Sequence, residues 1–237
     1  MIHSTKLLGR RVIARETMIF EFEKPAGFNF RPGQFIELKL KNLPFVDEKG
    51  SVYPFSIVST PAEQQLAIAT RMRNSAFKNS LRTLALGSEV EIDGPFGSFI
   101  LHNDAAREAV ILTGGIGITP FRSMTKHAVE TRLSHKILLF HSNRHPDDAA
   151  FLRELQDLES KNSNFKFVPT MTKAAEFDWK GERGYIDAAM IKKYIDNLKN
   201  PVYYIAGPPA FVQAMWQMLK LTGVDSDNIK TEDFAGY

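Results

Sequence analysis

No cysteine occurs among the 237 residues of this chain. That excludes disulfides, thiolate zinc sites, cysteine nucleophiles and cysteine-ligated iron–sulfur clusters within it. Net charge is also scarce: 30 Lys and Arg against 27 Asp and Glu leave a formal +3. This is too weak to argue for a nucleic-acid partner. Long apolar runs are missing. The longest uncharged one, Ala109 to Phe121, holds three glycines and a proline, so no membrane span is expected. Lys6, Arg10, Arg11, Arg15 and Glu16 leave no room for the apolar region of a signal peptide. With neither disulfide nor export signal, the expected location is cytoplasmic. The six histidines form no cluster, and His141 and His145 fall on a strand end and a loop, so no metal is expected. There is no Gly-x-Ser-x-Gly elbow, no Gly-x-x-x-x-Gly-Lys loop, no repeat and no long linker.

What is present divides the chain in two. The first hundred residues alternate apolar and polar over Thr17 to Glu23, Gln34 to Leu40 and Glu89 to Ile92, the period of half-buried strands. Turn residues fall between them: Pro25 and Gly27, Pro32-Gly33, Pro44, Asp47 to Gly50, Gly87-Ser88, and Gly94-Pro95-Phe96-Gly97. This predicts an antiparallel barrel or sandwich, with one short helix near Lys78 to Leu86. After about Asn103 strands and helices alternate. Strands are expected at Glu108 to Leu112, Lys136 to His141, Phe165 to Pro169, Val202 to Ala206 and near Ile229. Helices are expected near Phe121 to Glu130, Ala149 to Glu159, Ala188 to Ile195 and Ala210 to Leu221. Such alternation implies a parallel sheet covered by helices on both faces. The predicted domains are residues 1–104 and 105–237.

Thr113-Gly114-Gly115-Ile116-Gly117-Ile118-Thr119-Pro120 lies between a predicted buried strand and a predicted helix. Glycines admit close backbone approach, and the free N–H groups of a helix start bind anionic oxygens. Pro120 suits the first helical turn, where its missing N–H costs nothing. The stretch predicts a nucleotide phosphate site.

Four segments, in order along nearly the whole chain, give it a resemblance to the ferredoxin–NADP reductase superfamily. Tyr53-Pro54-Phe55-Ser56-Ile57-Val58-Ser59 resembles the family's Arg-x-Tyr/Phe-Ser-x-x-Ser flavin motif, with Tyr53 where the family has arginine. Asn74 to Leu81 is similar to a Gly-x-x-Ser/Thr segment that cradles the FAD pyrophosphate, with Phe77 in place of the glycine and Ser80 as the matching serine. Gly114, Gly115, Gly117, Thr119 and Pro120 match the family's NAD(P)H loop throughout. Tyr203 to Met215 resembles the Cys-Gly-Pro-x-x-Met segment beside the nicotinamide, with Ala206 for the cysteine and Gly207, Pro208 and Pro209 following.

The resemblance implies an N-terminal antiparallel β-barrel flavin domain followed by a Rossmann-like parallel α/β nucleotide domain. It implies FAD packed on Phe55, with Ser56 near flavin N5. Pro54, Arg71, Met72, Lys78 and Asn79 are further expected flavin contacts, Arg71 or Lys78 supplying charge in place of the arginine, and Phe77 is available to stack on adenine. The end, Glu232 to Tyr237, is similar to family tails whose aromatic covers the flavin. Ser56, Glu232 and Tyr237 are the expected catalytic residues. Ser142 and Arg144, without a nearby acid before Asp147 and Asp148, suggest NADPH, and those two aspartates leave NADH open. The implied activity is hydride transfer from NAD(P)H to FAD and onward to ferredoxin, flavodoxin or a small-molecule acceptor. A flavin- or nucleotide-binding electron-transfer subunit without reductase activity of its own is the alternative.

Overall fold

Strand β1 (Ile2–Ala14), strand β2 (Thr17–Glu23) and strand β3 (Phe35–Leu40) begin the first sheet. Strand β4 (Val52–Ser56), strand β5 (Gln65–Arg71), helix α1 (Ala76–Thr83) and strand β6 (Glu89–Phe96) complete it. These are the elements of a computed structural model that describes residues 1–41 and 51–234. The turn residues expected from Pro44 to Gly50, and Tyr237, lie outside the described residues.

The six strands pair antiparallel in the order β4-β3-β6-β1-β2-β5. An isolated bridge between Ile57 and Ile68 brings the two edges together, so the sheet curls around its own core. Leu7, Phe20, Phe22, Ile36, Leu38, Ile57, Leu66, Ile68 and Ile92 fill it. Alternation made β2 and β3 visible in the sequence. β1 alternates in burial only from Ile2 to Leu8, where polar His3, Ser4, Thr5 and Lys6 hide the pattern in the sequence, and its pairing with β2 slips between Leu7 and Gly9 and between Val12 and Ala14. Such bulges break the period of two that a strand pattern needs.

The second sheet is parallel. It comprises β7 (Ala109–Gly114), β8 (Ile137–Asn143), β9 (Phe165–Met171), the short β10 (Glu182–Arg183), β11 (Val202–Gly207) and β12 (Ile229–Asp233). Their order is β10-β9-β8-β7-β11-β12. β7, β8 and β11 are buried at every position, as expected for strands with helices on both faces. Those helices are α2 (Thr119–Glu130), α3 (Leu152–Lys161), α4 (Ala188–Lys192) and α5 (Pro209–Leu221). The chain reverses its direction of travel across the sheet between β7 and β11, and ligands of such sheets bind at the strand ends beside that point. Among the described residues no helix is long and apolar enough to cross a membrane.

The two halves share one core. Ile19, Val58, Ala67 and Ala69 of the barrel cluster with Ile118, Phe121 and Met124 of the second half. Buried Arg122 adds a polar fastening: it donates to the Val58 carbonyl at 2.9 Å, to Glu63 at 2.6 and 3.1 Å, and to Glu154 at 2.6 Å. Ser123 Oγ donates to the Ser59 carbonyl at 2.7 Å, and Lys126 reaches Glu63 at 2.6 Å.

Candidate functional site

The start of α2 is set by the sequence around it. β7 ends at Gly114, a 3-10 turn covers Gly115 to Ile118, and α2 follows with Pro120 in its first turn. The loop glycines divide the work. At Gly115 φ is +55° and an added Cβ meets nothing within 4 Å, so its face is open to a ligand. At Gly117 a Cβ comes 2.4 Å from the Ala206 carbonyl oxygen and 2.7 Å from Gly207 Cα. Gly117 therefore lets the loop press against the end of β11. At Gly114 the same atom meets the Phe211 ring at 3.1 Å.

His141, opposite Thr113 across the β7–β8 pair, has its Nε2 2.9 Å from the Gly115 carbonyl. A carbonyl only accepts, so Nε2 carries the proton. Burial pushes the imidazole down to about 4, against a smaller opposing effect of that bond, and the ring is neutral at physiological pH. It ties the nucleotide loop to the sheet; its place in an apolar strand was the available signal.

β12 lies parallel to β11, with Glu232 opposite Ala206, and the Phe234 N–H bonds the Gly207 carbonyl. This brings Glu232, Asp233 and Phe234 over the seam between the halves. A cleft of about 350 Å³ results. The barrel lines it with Phe35, Pro54, Phe55, Ser56 and Ala69. The second half contributes Ile116, Thr119, Glu232, Asp233 and Phe234. Of the expected site residues, Pro54, Phe55, Ser56, Thr119 and Glu232 meet here. Ile116 and Phe234 were not anticipated. Among the described residues, Ser56 Oγ and Glu232 Oε2 are both buried without a hydrogen-bond partner. Burial, and then the charge of Asp233, raise the Glu232 carboxyl to about 7.

Several expected contacts are corrected. Phe55 is 3% exposed, and its ring stacks on Phe77 at 5.9 Å. Paired with Ile36, it faces the barrel core, so at most an edge reaches the cleft. Phe77 is 0% exposed, 4.3 Å from the Tyr53 ring. It packs the core and does not stack on adenine. Ser80 is not at a helix start. α1 begins at Ala76, capped by Ser75, whose Oγ accepts from the Lys78 N–H at 3.2 Å. Ser80 Oγ donates to the Ala76 carbonyl inside the helix, and the Asn79 N–H is used by Ser75. Phe77 and Leu81, one turn apart and both buried, set the phase of this helix. Lys78 is buried and donates to the Arg71 carbonyl at 2.9 Å. Arg71 lies 3.4 Å from Glu16, and Met72 packs against the barrel core.

At the end of β8, Ser142 is 9% exposed and Arg144 is exposed. Asp147 and Asp148, the two acids that left NADH open, both face Arg15 of the barrel at 3.5 and 3.6 Å. Gly207, Pro208 and Pro209 join β11 to α5.

The cleft fits a flavin ring: its walls are largely apolar, and an unpartnered hydroxyl, Ser56, stands ready for a ring heteroatom.

Comparison with known proteins agrees with this geometry. Residues 2–114 match an FAD-binding domain, and residues 111–217 match an oxidoreductase NAD-binding domain. The glycine betaine monooxygenase reductase subunit of Chromohalobacter salexigens is 30% identical over 224 residues, 92% of this chain and 60% of that protein. The reductase component of propane 2-monooxygenase from Rhodococcus jostii is 26% identical, over 90% of this chain and 57% of its own length. The chain thus spans about 60% of the length of such relatives. A ferredoxin NADP+ reductase structure from Neisseria gonorrhoeae superposes with a TM-score of 0.82 at 22% identity, covering 98% of both chains. With an FAD-binding barrel and an NAD-binding α/β unit facing one cleft, the chain belongs to the ferredoxin–NADP reductase superfamily.

Proposed function

We propose that this chain is an NAD(P)H-dependent flavoprotein reductase that takes hydride from NADPH onto FAD and delivers electrons to a separate acceptor. One observation carries the reading. The Ser56 hydroxyl of the flavin-type barrel, buried and without a partner among the described residues, and the nucleotide-loop residues Ile116 and Thr119 line the same cleft. Bound flavin supplies the two-electron chemistry. The chain itself orients and excludes water. Ile116 and Phe234 wall the cleft with apolar surface, and Thr119 Oγ1 donates to the Ile116 carbonyl at 3.1 Å, holding the loop's shape. Ser56 offers a hydrogen bond at the ring, and Glu232 keeps a proton beside it up to a pH of about 7. At the far end of the dinucleotide, exposed Arg144 would hold the 2′-phosphate with Ser142 assisting, and the engagement of Asp147 and Asp148 by Arg15 supports NADPH over NADH.

The named relatives are reductase components of monooxygenases, which supports an oxygenase component, or a ferredoxin or flavodoxin serving one, as acceptor. A small-molecule acceptor is the other outcome of an acceptor screen. No iron–sulfur relay fits within these 237 residues, since none is a cysteine.

Purified protein, reconstituted with FAD where needed, should be yellow and bleach anaerobically on adding NADPH. Protein that stays colourless and unreactive with added FAD sinks the reading. Arg144→Ala should cost about tenfold in NADPH affinity, the size of a screened arginine–phosphate contact, and leave NADH nearly unchanged. An equal loss for both cofactors removes Arg144 from the reading.

A further inference from the structure

Arg144 sits in a turn that is fastened on two sides to one neighbouring segment. On one side the bonds are main-chain: the Thr172 N–H to the Asn143 carbonyl at 2.9 Å, and the Lys173 N–H to the Arg144 carbonyl at 3.2 Å. On the other side the fastening is a side chain. His145 Nδ1 lies 3.1 Å from Asp148 Oδ2, and His145 Nε2 lies 2.8 Å from Glu176 Oε2. Asp148 belongs to the same turn as His145, and its Oδ2 also accepts the His145 N–H at 3.2 Å. Glu176 belongs to the segment after β9. Carboxylates only accept, so both ring bonds exist together only when the imidazole carries both protons.

We propose that His145 is the positioning residue for Arg144: its imidazolium, bridging Asp148 and Glu176, staples the turn of residues 143–148 to that of residues 172–176 and holds Arg144 at the 2′-phosphate of NADPH. This rests on the reading of Arg144 given above. Two cations and an aromatic ring pack around the bridge. Lys173 pairs with Glu176 at 3.0 Å, Arg15 reaches Asp148 from the barrel at 3.6 Å, and the Phe177 ring packs 5.6 Å from the imidazole. Arg183 is turned away, donating to the carbonyls of Ala174 and Trp179. Hydrogen bonds to Glu176 and then to Asp148 raise the His145 ring above its ordinary value. The folded value lies above the unfolded one, so the bridge is complete at lower pH and is lost as pH rises through the folded value.

The probe is adenosine 2′,5′-bisphosphate, measured by calorimetry against 5′-AMP, which lacks the 2′-phosphate. It reads nucleotide binding without turnover. Wild-type affinity for the bisphosphate should fall about three- to fivefold between about pH 7 and about pH 9, the effect of losing one partly exposed ion pair. His145→Gln should show the weak value at every pH, with 5′-AMP unchanged. His145→Arg, cationic throughout, should keep the tight value and lose the pH dependence; it also separates loss of the bridge from loss of the turn. In turnover, the glutamine variant should raise KM for NADPH without lowering kcat. Glutamine and wild-type proteins with the same affinity and the same pH profile overturn the proposal. Arg144→Ala serves as the second arm. If it leaves the bisphosphate affinity unchanged, the Arg144 reading itself falls. If it weakens binding while His145→Gln does not, only the role of His145 falls.

Discussion

Ser56 and Glu232 approach the cleft from opposite halves of the molecule, and each brings a buried oxygen that no group among the described residues satisfies. A buried hydroxyl left without a partner is costly, so its partner belongs to what the cleft binds. Ser56→Ala should slow flavin reduction about fivefold, the worth of about 1 kcal/mol, and weaken FAD retention less. Unchanged reduction rates in stopped flow would remove Ser56 from the mechanism. Glu232 makes a pH prediction. Its folded carboxyl sits near 7 against an ordinary 4.5. Between those values the folded state holds a proton that the unfolded state lacks, so stability falls as pH rises through that window. Glu232→Gln should therefore raise Tm at about pH 8 and change it little at about pH 5. The serine was legible in its local motif. The inward turn of Phe55 was not, because which face of a strand is buried depends on the strands paired with it.

At the scale of elements, the nucleotide loop and α1 show how one residue type serves two purposes. Gly115→Val should raise KM for NADPH by about tenfold or more, since its Cβ enters open space at the ligand face, and leave the flavin spectrum intact. Gly117→Ala should instead destabilise the fold by about 1–3 kcal/mol, because the new methyl presses on the Ala206 carbonyl. Equal denaturation midpoints for the Gly117 variant and wild type would contradict this packing role. For α1, Ser75→Ala should cost about 1 kcal/mol in chemical denaturation by loss of the cap. Ser80→Ala, losing only a bond within the helix, should cost less. Both serines precede amphipathic positions, so spacing alone did not choose between them. The burial of Phe77 and Leu81 in the barrel did.

For the whole molecule, the fastening around Arg122 decides how the two halves sit. Burial would raise the Glu63 carboxyl, but hydrogen bonds from Arg122 and Lys126 outweigh it and hold the group down at about 2. Stability from this group is present above the ordinary 4.5 and is lost as pH falls through about 2. Arg122→Ala leaves Glu63 and Glu154 with Lys126 as their remaining shared cation, at 2.6 and 3.9 Å, and should cost about 3 kcal/mol in chemical denaturation. It should also shift the acid unfolding transition to higher pH. An acid transition identical to wild type would show that the ion network does not couple the halves.

The order of strands and helices after Asn103, and the glycine loop between the first pair, were legible because both depend on neighbours in sequence: apolar period, turn residues and the helix start. The resemblance carried by Ser56 and by Gly114 to Pro120 added the flavin and dinucleotide halves. β1 escaped notice because its first half buries Thr5 among polar neighbours and its second half is bulged, and a bulge is set by the partner strand. The rest belongs to tertiary structure. Thr113 and His141 are distant in the chain and adjacent across a strand pair, Arg122 and Glu63 meet only where the two halves close, and His145 finds Glu176 only after β9 returns to the same sheet edge. Local sequence determined which elements form and which chemistry they carry. Long-range pairing decided which side chains meet, because the burial and charge that tune each group come from residues far away along the chain.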